Sequence, residues 1–310
     1  MVALVAAPRL AIAHSPAPGL RSRAEWSRRM LGLGLGLLTS QALAAALLSP
    51  QVSTWAVGAM MCGCGVTMLV HERAARRLQA ECTRASTLIQ RGELTEARAR
   101  LDHALTHARA APHLHALLLF NRGVVDLRAG DLRAARDRLR RALDTGWFSR
   151  RGRLAGARPQ VCMWMALLEA LEGELDAARG WQAETRAALT EAPSTTQRVI
   201  LAQQLAVDAV VELRDGAYTP ALHRLENQRP GASEHLTDAD LRLLDVLEAF
   251  AREHSATGQY RDRADELRLG GDRAREDEFT FLGASWPEMK NFLRRRGLTT
   301  PARGSIPAPS

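Results

Sequence analysis

Four histidines fall within thirteen residues, at His103, His107, His113 and His115. Two imidazoles four residues apart on a helix share a face, which is a spacing that can hold a metal ion. No carboxylate pair accompanies His103 and His107, and Asp102 falls on another face of the helix. The expectation is therefore polar contacts at the surface or between helices rather than a metal site. Cys62-Gly-Cys64 could bind a soft metal or act as a redox pair. It stands in an apolar run with no third ligand near it, so two small residues in a helix is the preferred reading. The run GLGLG at Gly32–Gly36 has the glycine spacing of a nucleotide-binding turn but no preceding strand and no βαβ unit. No nucleophile-elbow serine and no zincin motif occurs. No catalytic residue, metal ligand or cofactor is assigned, and the chain is not expected to be an enzyme. Arg150, Arg151, Arg153 and Arg158 lie in a Gly- and Arg-rich stretch from Gly146 to Pro159. They could clamp an acidic segment or a phosphate, or belong to a solvated connector.

The elements that must position these residues are helical. Ala, Leu and Arg dominate, aromatic residues make up 5% of the chain, and β-branched residues are sparse, so an all-β fold is excluded. From Ala74 onward apolar residues recur at helical spacing, with breaks about every forty residues. Four turn glycines mark the breaks: Gly92, Gly130, Gly173 and Gly216. Five residues after each stands a small one: Ala97, Ala135, Ala178 and Ala221. Seven residues before each stands another: Ala85, Gly123, Ala166 and Ala209. Small side chains at these two places let antiparallel helices approach closely, and glycine between them accepts the positive φ that closes the first helix.

This framework resembles the tetratricopeptide repeat family over about residues 75–230. It departs from the family in lacking an aromatic residue early in the first helix and in having longer spacings between turn glycines. The resemblance implies an all-α solenoid of antiparallel helix pairs, whose inner face, lined by the first helix of each pair, holds a peptide or helix of a protein partner. On that face the expected groove residues are Asn121, Arg122, Asp126, Trp164, Glu169, Gln204, Asp208 and Glu212. The stack is expected to continue past residue 230, with Thr237 or Asp238 capping a helix over Leu241–Glu253, a further helix over Gly258–Leu269, and a short one from Trp286 to Arg295.

Before the repeats lie two uncharged stretches of 19 residues, Met30–Leu48 and Val52–Val70, separated by Ser49-Pro50-Gln51. Each could nearly cross a bilayer core of about 30 Å as a helix. Arg21, Arg23, Arg28 and Arg29 precede them, and Arg73, Arg76 and Arg77 follow. By the positive-inside rule this predicts a transmembrane hairpin over residues 30–70 with both termini cytoplasmic, in the plasma (inner) membrane. The domain scheme is then a poorly ordered basic segment 1–29, the hairpin 30–70, the repeats 71–270, and a short helix with a disordered tail 271–310.

Charge is segregated. Residues 71–160 hold 19 basic residues against 9 acidic, and residues 161–280 hold 13 against 23. Nucleic acid is not an expected partner, because the basic stretch offers only Phe120, Trp147 and Phe148 for stacking. The functional expectation is a membrane-anchored adaptor that binds a protein or peptide through the repeat groove. A soluble cytoplasmic repeat protein with a buried apolar hairpin is the alternative, a self-associating structural subunit of a membrane complex (a homo-oligomer) is another, and a membrane enzyme with unrecognised catalytic residues is the last.

Overall fold

The computed structural model describes residues 50–108, 111–190, 192–255 and 278–299. These form ten α-helices: α1 (Pro50–Gln90), α2 (Leu94–His107), α3 (Pro112–Arg128), α4 (Leu132–Asp144), α5 (Arg158–Glu172), α6 (Leu175–Leu189), α7 (Ser194–Arg214), α8 (Tyr218–Ser233), α9 (Asp238–His254) and α10 (Pro287–Arg295). Short 3-10 turns at Ala155–Ala157 and Thr280–Gly283 complete the structure, and no strand occurs among the described residues.

Helices pair in order, α1 with α2, α3 with α4, α5 with α6 and α7 with α8, and each first helix also packs on the pair before it. This is the solenoid of antiparallel pairs that the glycine and alanine spacing predicts. All four turn glycines have positive φ, from 74° at Gly92 to 89° at Gly173. The eight small residues that flank them are buried at the crossings. At Gly123 the requirement is steric: a Cβ there would lie 2.9 Å from Leu139 Cγ across the α3–α4 contact. α9 begins with a capping box in which Thr237 Oγ1 accepts from the Asp240 N–H and Asp240 accepts from the Thr237 N–H. Each such cap is worth about 1 kcal/mol.

The turn glycines are not equivalent. Alanine at Gly216 would meet nothing within 4 Å, so its cost is the left-handed backbone alone, about 1–2 kcal/mol. At Gly173 a Cβ would also lie 2.7 Å from Arg214 Nη2. That guanidinium is held by the Ala170 carbonyl and stacks on Trp286, so it is not at liberty to withdraw. Gly173→Ala is therefore expected to lower the urea midpoint more than Gly216→Ala. Equal midpoints would show that Arg214 yields without cost.

The transmembrane hairpin is overturned. Among the described residues no helix is long and apolar enough to cross a membrane. Pro50, expected in a loop between two spans, opens α1, and Val52–Val70 runs without interruption into the segment that packs on α2 and α3. Freedom from charge overstated the apolarity of that run, since six of its nineteen residues are Gly, Ser or Thr. Met30–Leu48 lies outside the described residues, as does the helix expected over Gly258–Leu269. With the hairpin go the readings built on it: membrane anchoring through residues 30–70, and a multi-pass inner-membrane location with cytoplasmic termini.

Residues 278–299 return to the stack. They lie against α9 and against the C-terminal ends of the first helices α3, α5 and α7. Ala284 approaches Gly130, Ser285 Oγ donates to the Leu171 carbonyl at 2.8 Å, and Trp286 lies under Arg214.

Candidate protein-binding groove

A groove of about 600 Å³ opens between α6, α7 and α8. α6 contributes Arg179, Gln182 and Arg186 to one wall. α8 contributes Arg224 and Gln228 to the other. The floor is a stripe of α7 that includes Leu201, Gln204, Leu205, Asp208 and Glu212. Their spacing of three and four residues places them on one helical face. Leu201 is 52% exposed, one of the few large apolar side chains left in water among the described residues.

Polar contacts fix the walls to the floor. Gln182 Nε2 donates to Asp208 Oδ1 at 2.7 Å. Arg224 Nε donates to Glu212 Oε1 at 2.9 Å, and its Nη1 lies 3.7 Å from Asp208 Oδ2. Burial raises the Asp208 pKa above the usual carboxylate value, against the opposing pull of Arg224 and Arg186. Two floor acceptors, Gln204 Oε1 and Glu212 Oε2, have no hydrogen-bond donor. The groove thus offers an apolar contact and a balanced set of charges, while the two donor-free acceptors lie buried beneath its floor. A segment of polypeptide with an apolar side chain among polar and charged neighbours satisfies both.

Of the residues expected in a groove, the structure brings Gln204, Asp208 and Glu212 together here. The other five do not line it. Asn121, Arg122, Asp126, Trp164 and Glu169 are buried, each at most 4% exposed. Asn121 sits beside the Cys82 thiol, whose pKa burial pushes up to about 12. Trp164 is enclosed in the core.

The acidic members join helices. Asp126, Glu169 and Glu212 each stand four residues before a turn glycine, and Arg98, Arg136 and Arg179 each stand six after one. Arg98 Nη2 reaches Asp126 Oδ1 in the next repeat at 2.7 Å. Arg136 pairs with Glu169 and Glu172 of the next repeat, and Arg179 with Asp215 at 2.5 Å. An arginine on each second helix thereby holds the following first helix by a carboxylate. Repeated arginines at a fixed distance from the turn glycines were the available sequence signal for this ladder and for the groove wall at Arg179. Nothing in the spacing marked Leu201.

The basic loop does not converge on one point. Arg150, Arg151 and Arg153 are exposed, while Arg158 opens α5 and pairs with Glu184 at 3.1 Å. The loop is pinned by Phe148, fully buried with its ring edge-on to Phe120. His103 and His107 are exposed on α2, with ring centroids 4.7 Å apart, and His113 lies against Trp147. No cluster of three or more metal-ligating side chains occurs among the described residues. Cys62 is exposed, and Cys82 and Cys162 are buried free thiols.

Residues 76–145, the span from the middle of α1 to the end of α4, match the model of the tetratricopeptide repeat family. No match is found among curated proteins or among solved structures.

Proposed function

We propose that this chain is a non-catalytic protein-binding scaffold, and that the groove between α6, α7 and α8 holds a short segment of its partner. The observation that carries this reading is Leu201. An apolar side chain half in water on the floor of a charged groove is poorly matched to solvent and well matched to a peptide. The tetratricopeptide repeat of the first two helix pairs supports the reading, because in that family stacked pairs serve as binding surfaces for other proteins. Scaffolding is assigned here to the stack itself, with no membrane attachment.

Peptides selected from a displayed random library against the full-length protein test the proposal. Leu201 is exposed, so Leu201→Asp should leave folding within about 0.5 kcal/mol of the parent. It should weaken groove-binding peptides at least about tenfold, corresponding to about 1.4 kcal/mol. Selected peptides that bind parent and variant alike, or a folded protein that selects none, would refute the assignment.

A further inference from the structure

Charge is committed unevenly along the groove between α6, α7 and α8. At one end Arg179 pairs with Asp215, and Arg224 with Glu212 and Asp208, so each cation there has its carboxylate. At the other end stand Arg186 on α6 and Arg198 on α7, both exposed and neither in an ion pair among the described residues. Arg198, Leu201, Leu205, Asp208 and Glu212 follow one another at steps of three and four, so Arg198 continues the floor stripe one turn beyond Leu201. Arg179 reaches Asp215 and Gln182 reaches Asp208, which means that α6 runs antiparallel to α7. One turn further along α6, Arg186 is carried toward the level of Gln204 and Leu201, and it lines the groove with them. The Asp208 carboxylate feels the Arg186 charge but is already held by Gln182 and Arg224. The exposed Leu201 is thus flanked by two cations whose hydrogen-bonding capacity is spent on water.

Resting on the peptide-binding reading of this groove, we propose that the partner segment seats an apolar side chain on Leu201 and presents one Asp or Glu, within about two residues of it, to Arg186 and Arg198. A carboxylate there forms charge-assisted hydrogen bonds with two guanidinium groups that have no protein acceptor. The same geometry excludes a run of acidic residues. Further along the groove the segment passes Asp208, Glu212 and Asp215, which repel a second carboxylate. Residues 161–280 as a whole hold 23 acidic residues against 13 basic, so an acidic tract is also repelled on approach. The segment is therefore acidic at the Arg186 end and neutral or basic at the Asp215 end.

Peptides selected from the displayed library by the full-length protein, and weakened by Leu201→Asp, are the probes. They should share one Asp or Glu close to an apolar residue. Changing that acid to Asn or Gln should weaken binding about tenfold at low salt and far less at high salt. Arg186→Gln combined with Arg198→Gln alters two exposed positions and should leave the thermal melt unchanged. In that variant the acidic peptide should bind no better than its amide twin, while the amide twin binds parent and variant alike. Equal weakening of both peptides by the variant would overturn the proposal, because the arginines would then only shape the groove. Peptides that are sensitive to Leu201→Asp but lack the acid, or carry acidic runs, would overturn it as well and leave the groove reading intact. Absence of any peptide sensitive to Leu201→Asp would remove the groove reading itself, and the acidic partner with it.

Discussion

Asp126→Ala is expected to lower the melting temperature by on the order of 10 °C, from the loss of about 3–5 kcal/mol that follows when one partner leaves a buried ion cluster. The Asp126 side chain is 1% exposed and receives three guanidinium groups, from Arg98 on α2, Arg122 on α3 and Arg138 on α4. Arg122 is itself 5% exposed and donates through Nε to Asp102 Oδ1 at 2.7 Å. Burial alone would lower the Arg122 pKa. The carboxylates of Asp102 and Asp126 outweigh it and hold that pKa above the usual value. Removing Asp126 leaves Arg122 buried with only Asp102, whose side chain is half exposed. The cost falls on three helices together, and so on the junction of the first two repeats.

Position in the cluster should order the variants. Arg98 is 40% exposed, so Arg98→Ala removes a cation that water already screens and should cost about 1 kcal/mol or less. Replacing Asp126 and Arg122 together by Leu and Met should recover a large part of the Asp126→Ala loss, since the uncompensated charge goes with them. Thermal melts of the three variants decide it. An Asp126→Ala melt within 2 °C of the parent would mean that the cluster contributes nothing net.

The same residue shows how far the sequence could be read. Fold class was legible because close helix crossings need small side chains, and small side chains recur at fixed distances from Gly92, Gly130, Gly173 and Gly216. Facing was not. Polar identity at Asn121, Arg122, Asp126 and Glu169 suggested an open groove, but buried charges that satisfy one another across helices show the same residue types as a solvated face. Only the partner arginines distinguish the two cases, and they lie far along the chain: Arg98 is 28 residues from Asp126, and Arg136 is 33 from Glu169. The apolar run at Val52–Val70 misled for a different reason. Length and absence of charge describe a membrane helix and the uncharged first half of a longer solenoid helix equally well. What separates them is the glycine, serine and threonine content and the unbroken continuation into α1.

Removing the Phe292 ring should have the second large effect, and it should act on one part of the molecule first. Phe292→Ala deletes a fully buried ring set edge-on to Phe250, with centroids 5.3 Å apart, and capped by the Arg296 guanidinium at 5.7 Å. Such truncations cost about 3–5 kcal/mol. Phe250 joins the C-terminal segment to the stack, for it also meets Trp286 at 5.0 Å and Tyr218 at 6.2 Å. The rest of the attachment is the buried apolar packing of Phe279, Phe281, Leu282, Met289 and Leu293, with polar contacts around it: Arg242 with Glu278, Glu253 with Arg295 and Arg296, and Ser285 with the Leu171 carbonyl. Losing the ring leaves a cavity in that packing, and the polar contacts offset little of it, because partly exposed ion pairs contribute about 0–1 kcal/mol each. Amide exchange should therefore accelerate over residues 278–299 before it does in α3 or α5, whose own pairs α3–α4 and α5–α6 remain packed. Trp286→Ala should release the same segment, and it also strips the stacking partner from Arg214, whose pKa burial already lowers. If exchange in α5 and in the C-terminal segment instead rises together in both variants, residues 278–299 are part of the same cooperative unit as the repeats and not a separately attached strap.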